Sequence, residues 1–410
     1  MLELSQASVQ KIMLASLGLA RPYTKKATKK DVLDTIRQMH LLQIDTISVV
    51  ERSHYVVLWS RLGEYPLAWV DELLAEGQLF EYWSHAACML PVEDYPLYRH
   101  RMLNREKSHS WIAEHRDEVD KLLSYVRENG PVRSADFERP EGKKGAGWWD
   151  WKPEKVTLEV LFNAGILAVA RRQGFQRFYD LQERVFPNWD DARVLAEAEI
   201  ELNFTRKALL ALGVAQPAWL TTYFYRWQKK NTLTALKVLV ESGEVEEVKV
   251  EGWDQPGYIH RESLPMIESI LDGNGKFDFD RTALLSPFDP LISDRDRALT
   301  TFGFDYKIEC YTPEAKRRYG YFTLPILHKG QLVGRIDSKA YRKEKVFEVK
   351  KLHLEPGVAV TDELAEALAS TFQGFADWHK TPEVVVRWSD PPELVEIING
   401  LLAEQVETTA

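Results

Sequence analysis

Apolar positions recur at helical spacing over residues 5–17, with Leu4 and Ala7 beginning the pattern. They recur again up to Met39, after Thr28-Lys29-Lys30-Asp31, which reads as a capping box: a threonine N-cap with an acidic residue three positions on. Further helical patterns cover 46–62, stopped by Gly63, and 69–75, ended by Gly77. Residues 79–91 are strand-like and aromatic. Helices followed by a strand ribbon are the order of a winged helix.

That order returns twice. Helices at 119–128 and 155–164 flank the short element 131–137, and strands 166–172 and 178–181 enclose the turn Gln173-Gly174-Phe175-Gln176, a wing. Helices at 190–212, 219–224 and 233–241 then precede a second glycine-containing ribbon, 244–250 with 257–260. Beyond Asn274-Gly275 the pattern changes to alternation, at 304–311, 320–327, 332–337 and 346–350, with His328-Lys329-Gly330-Gln331 as a hairpin turn. A closing helix is predicted over 362–378, and the polar tail from Glu404 is expected to fray. The expected fold class is α+β: winged helices at 1–110, 111–188 and 189–273, then a small antiparallel β-barrel with a C-terminal helix at 274–410.

One stretch departs from these patterns. Leu42-Gln43-Ile44-Asp45-Thr46-Ile47 sets two polar side chains on either side of an isoleucine inside an apolar run. Two apart on a helix, Gln43 and Asp45 point to nearly opposite faces; two apart in an extended link, they share one, and Leu42, Ile44 and Thr46 take the other. The extended reading aims an amide and a carboxylate at one target. Asp45 also fits the N-cap of a helix starting at Thr46, and the two roles are compatible.

Composition narrows the class. The chain has 410 residues, 45% hydrophobic, 28% charged and 11% aromatic, enough for two to four structural units. No uncharged apolar run has membrane length, and the first residues lack a basic segment followed by an apolar one, so a cytoplasmic protein is expected. Cys88 and Cys310 are too few for a disulfide framework or a cysteine zinc site. The net charge of −9 argues against a nucleic-acid coat protein and leaves room for a local basic groove. Basic runs lie at 25–30, at Arg171-Arg172 and at Lys316-Arg317-Arg318. Asp289, Glu309, Asp337 and His328 fit no standard metal-ligand spacing, so no metal or cofactor is expected. Trp148, Trp149 and Trp151 read as packing residues.

Several stretches together resemble the AlkZ/YcaQ family of winged-helix DNA glycosylases, its Gln-x-Asp branch most closely. They are 42–47, Tyr82-Trp83-Ser84-His85-Ala86-Ala87-Cys88, 130–137, Gly147-Trp148-Trp149-Asp150-Trp151-Lys152-Pro153, Ser286-Pro287-Phe288-Asp289-Pro290, and Glu309-Cys310-Tyr311-Thr312-Pro313 through Lys316-Arg317 to Tyr319-Gly320-Tyr321. The resemblance implies excision of cationic N7-alkylguanine from double-stranded DNA, unhooking of interstrand crosslinks included, with Asp45 and Gln43 catalytic. Candidate DNA contacts are Arg52 and His54 near the pair, Arg171, Arg172, Gln176 and Arg177 on the wing, and Lys316, Arg317 and Arg318. A monomer is expected. The competing classes are a winged-helix transcriptional regulator without chemistry and a metal-dependent nuclease.

Overall fold

The computed structural model describes residues 2–21, 26–137, 153–224, 229–275 and 277–409. Trp148, Trp149 and Trp151 lie outside the described residues. The chain is a mixed α+β protein that divides into two compact units, Leu67–Phe204 and the combination of Met1–Pro66 with Thr205–Ala410.

In the Leu67–Phe204 unit, helix Ala68–Ala75 leads into an antiparallel hairpin, Leu79–Trp83 with Ala87–Pro91, where Tyr82 lies opposite Cys88. Helices Tyr95–Ser108 and Arg116–Asn129 follow, and the first of these has no counterpart in the expectations above. Helix Pro153–Asn163 precedes a second hairpin, Leu167–Gln173 with Gln176–Leu181. Its turn residues, Gly174 and Phe175, have φ of 55° and 66°. Two successive positive φ values match the twist of the flanking strands. The core is aromatic: Tyr95 stacks on Phe186 at 4.1 Å, and Phe80 meets Tyr95 and Tyr98 edge-on.

In the other unit, the Thr28–Asp31 capping box opens helix Lys29–Met39 as the sequence predicts. Strand Leu2–Leu4 runs parallel to Val248–Val250, extending the hairpin of Val245–Val250 and Gly257–His260. The expected C-terminal barrel is instead an open half-barrel of six strands. Strands Thr282–Leu284, Leu324–His328, Gln331–Tyr341 and Val346–Leu354 pair antiparallel in that order, and Glu383–Val386 and Ser389–Asp390 add parallel to the last. The hairpin turn at Lys329-Gly330 forms where expected, with φ of 47° and 76°. Helix Asp362–Trp378, capped by Thr361, covers the sheet. Its Phe375 meets Phe347 edge-on at 5.6 Å and Trp59 at 4.6 Å.

Two expectations fail here for physical reasons. Residues 304–311 alternate like a strand but join no ladder. Their buried Phe304 and Tyr306 stack at 5.9 Å, and Phe304 lies 4.4 Å from the buried Arg335 guanidinium, which also donates to the Asp305 carbonyl at 3.0 Å. The alternation encloses an arginine instead of pairing with a neighbour. The helix predicted from Thr46 begins only at Ser53. Residues 49–50 are bound elsewhere: the Val49 carbonyl accepts the Ala340 amide at 3.1 Å and the Val50 carbonyl accepts Arg342 at 2.6 Å.

A buried ion pair ties this unit together. Arg61 donates to both carboxylate oxygens of Asp289, at 2.6 and 3.0 Å, and to the Leu17 carbonyl at 2.7 Å. The two side chains are 1% and 0% exposed.

Candidate active site

The Gln43–Asp45 link is held at both ends. Before it, helix Lys29–Met39 ends at His40 in the left-handed conformation, and the Met39 carbonyl accepts the Tyr223 hydroxyl at 2.7 Å. Burial, reinforced by Lys207, pushes the His40 imidazole down to about 3, so this bend stays uncharged at neutral pH. After it, Arg342 bonds Glu51 at 2.7 Å and the His379 carbonyl at 3.1 Å, stapling the chain to strand Gln331–Tyr341. Between these anchors burial alternates: Leu42 and Ile44 are inside, while Gln43 and Asp45 are half-exposed. Leu42–Gln43 is a two-residue strand and the alternation of an extended chain runs through Asp45; Thr46, expected on the buried face, is exposed because the chain turns there.

Asp45 does not cap a helix. Its Oδ1 accepts the Ile47 amide at 2.7 Å, a local Asx turn. Partial burial raises its carboxyl above the usual range, against the amides of Ile47 and Thr46, which favour the anion. The result is a carboxylate held by backbone, still open to solvent.

The loop 309–321 forms the neighbourhood of that carboxylate. Asp45 lies close enough for its charge to raise both the Cys310 thiol and the Tyr311 hydroxyl, behind burial in the first case and behind Cys310 and burial in the second. The loop is braced from within. Glu309 accepts the amides of Arg318, Tyr319 and Gly320 at 3.0, 2.8 and 3.1 Å. Burial works to raise its carboxyl, but these amides and Arg317 outweigh it and hold Glu309 below the usual glutamate range. Arg317 donates to the Thr312 carbonyl at 2.9 Å and lies 4.9 Å from the Tyr321 ring; Arg318 lies 4.8 Å from Tyr319. At Gly320 the backbone has φ of 154°, and a Cβ there would fall 2.3 Å from Asp337 Cγ, so only glycine fits.

The remaining predicted contacts divide sharply. Lys316 and Arg318 are exposed and Arg317 half-exposed, as phosphate contacts require. Arg171 is half-buried, 3.7 Å from the Phe178 ring, and Gln176 is exposed and accepts from Arg133 at 3.2 Å. Arg172 and Arg177 serve the fold instead. Arg172 pairs with both oxygens of the buried Glu81 at 2.7 and 2.8 Å, and Arg177 reaches Glu81 at 2.5 Å and Glu159 at 3.0 Å. Burial works to raise the Glu81 carboxyl, and the two arginines, Arg177 foremost, hold it below its usual range. His54, 2% exposed, is likewise inside the protein and presents no face to DNA; Arg52, two positions before it, is half-buried.

Of the four groups weighed as metal ligands, Asp289 pairs with Arg61, Glu309 holds its loop, Asp337 lies under Gly320, and His328 bonds Thr282 at 2.7 Å. Among the described residues no group of three or more His, Cys, Asp or Glu side chains is placed to hold a metal ion. No helix among the described residues is long and apolar enough to cross a membrane. Sequence reasoning missed that Cys310 and Tyr311 come within electrostatic reach of Asp45. The signal was the unusual Glu-Cys-Tyr-Thr-Pro run, overshadowed by the basic run that follows it.

Asp45 is thus a solvent-reachable carboxylate near a loop that carries exposed rings and guanidinium groups. The solved DNA glycosylase AlkZ of Streptomyces sahachiroi matches this fold with a TM-score of 0.58 at 16% identity, over 94% of this chain and 100% of that one. The family model described as DNA glycosylase AlkZ-like matches residues 36–378. The chain belongs to this AlkZ-like family of DNA glycosylases, so it is an enzyme of DNA repair that takes DNA as substrate.

Proposed function

We propose that this glycosylase hydrolyses the N-glycosidic bond of cationic N7-alkylguanine, crosslinked guanines included, with Asp45 and Gln43 as the catalytic pair. The observation that carries the reading is the braced, half-exposed Asp45, whose carboxylate shares one face with Gln43. An N7-alkylguanine already bears a positive charge. As the C1′–N9 bond breaks, its electron pair neutralises the purine, so the leaving group needs no general acid. What develops is an oxocarbenium-like sugar. Asp45 stabilises that charge by preorganised electrostatics and takes the proton from the water whose oxygen bonds to C1′. Gln43, donor and acceptor at once, orients the water or braces Asp45.

A crosslinked base cannot swing freely into a deep pocket, unlike the usual flipped substrate. A half-exposed Asp45 beside the fully displayed Tyr311 suits an open groove, which admits such a lesion. The same proposal includes winged helices at 1–110, 111–188 and 189–273 followed by the half-barrel unit 274–410, acting as a monomer in the cytoplasm. Supporting it are the helices that precede each hairpin, at 79–91, 167–181 and 245–260.

The test is base release from a duplex carrying one N7-methylguanine, or one N7–N7 crosslink, with EDTA present. The native protein is expected to release the base, and Asp45→Asn to bind the same DNA while losing at least a hundredfold in rate, about the cost of one preorganised charge partner. Tight binding without release by the native protein on either duplex would refute the assignment of these lesions.

A further inference from the structure

We propose that Tyr311 and Tyr321 form a base-stacking site beside Asp45, which receives an unstacked purine of the damaged duplex. The inference rests on the assignment of Asp45 as the catalytic carboxylate and adds the side chains that hold the base next to it.

A single exposed tyrosine is ordinary on a protein surface. Three observations set this one apart. Tyr311 is 89% exposed, where the other large exposed hydrophobic side chains among the described residues reach 51% at most. It has no packing role to explain it, yet the loop that displays it is braced independently of its ring. Glu309 gathers the amides of residues 318–320, Arg317 holds the Thr312 carbonyl, and Gly320 sits against Asp337. The display is therefore prepared before any ligand arrives, which lowers the entropy lost on binding.

Second, a further ring is at hand. Tyr321, 37% exposed, is within electrostatic reach of Tyr311, and Arg317 lies over it at 4.9 Å. Rings with an adjoining guanidinium are what single-stranded nucleic-acid sites use, since every base has a π-face to stack. Third, Tyr311 lies within electrostatic reach of the half-exposed Asp45. Lys316 and Arg318, both exposed on the same loop, are placed for the flanking phosphates.

The experiment uses a duplex with one bulged 2-aminopurine, whose fluorescence falls when it stacks, titrated to saturation with the native protein, Tyr311→Phe, Tyr311→Trp and Tyr311→Ala. Base release from the N7-methylguanine duplex is followed alongside. Native protein, Tyr311→Phe and Tyr311→Trp are expected to quench alike and Tyr311→Ala to lose the quench. Release by Tyr311→Ala should fall by about tenfold or more, the worth of one stacked base, with its melting temperature unchanged. Equal quenching by Tyr311→Ala, no quenching by the native protein, or a loss as large in Tyr311→Phe overturns the stacking site. If base release by the native protein persists in those cases, the catalytic assignment stands alone. Conversely, a Tyr311-dependent quench without any base release keeps the stacking site and removes the assignment of the lesion.

Discussion

Asp45 accepts the amide hydrogen of Ile47 at 2.7 Å, two residues along its own chain. This short turn, and not a helix, follows the Gln43–Asp45 link, and it fixes the carboxylate without consuming it. One oxygen accepts the Ile47 amide, and the group stays half-exposed.

The balance around Asp45 gives a pH dependence. Partial burial raises its pKa, so catalysis that needs the carboxylate is expected to climb with pH and level off only above the usual aspartate range. The stability sign is opposite. A raised folded-state pKa makes a contribution that is complete below the unfolded pKa and lost as pH rises through the folded one. Asp45→Asn, which does not ionise, should therefore melt no lower than the native protein at pH 7, and the two should converge below the aspartate range. Melting curves from pH 3 to 8 with the rate profile check both signs; a variant that melts clearly lower at pH 7 contradicts the argument.

The Arg61–Asp289 pair makes a stability prediction. Removing one partner leaves a buried charge uncompensated, at a cost of about 3–5 kcal/mol. Asp289→Ala should lose that much in urea unfolding, because Arg61, at 1% exposure, cannot turn to solvent without opening the junction of residues 17, 57–61 and 289. A loss below about 1 kcal/mol, the range of an exposed pair, means that the site hydrates or relaxes.

The arginines separate by what they touch. Arg172→Ala should lower the melting temperature, since it strips the buried Glu81 of a bidentate partner, and leave the salt dependence of DNA binding unchanged. Arg318→Ala should leave the melting temperature unchanged and reduce the slope of log K against log salt by about one, as for a lost phosphate contact. Anisotropy titrations at several salt concentrations decide the matter. The reverse pattern would return Arg172 to the DNA interface.

Much of the local structure was legible in the sequence because its causes are local. The Thr28–Asp31 capping box, the turns at Gly174-Phe175 and Lys329-Gly330, and helix Asp362–Trp378 each depend on neighbours within a few residues. The same holds for Gln43 and Asp45 sharing a face, which follows from the period of an extended chain flanked by apolar residues. What a side chain does with its charge was decided by tertiary structure. Arg172 and Arg318 both sit in basic stretches, yet one neutralises a carboxylate from residue 81 and the other stays in solvent. Alternation at 304–311 predicts burial of every second ring but not that the rings enclose Arg335 of strand Gln331–Tyr341. The rim of the site depends likewise on two residues more than 260 positions apart, Asp45 and Tyr311, coming within electrostatic reach of each other. Periodicity encodes which residues are buried; which charge meets which requires the chain to have folded back on itself.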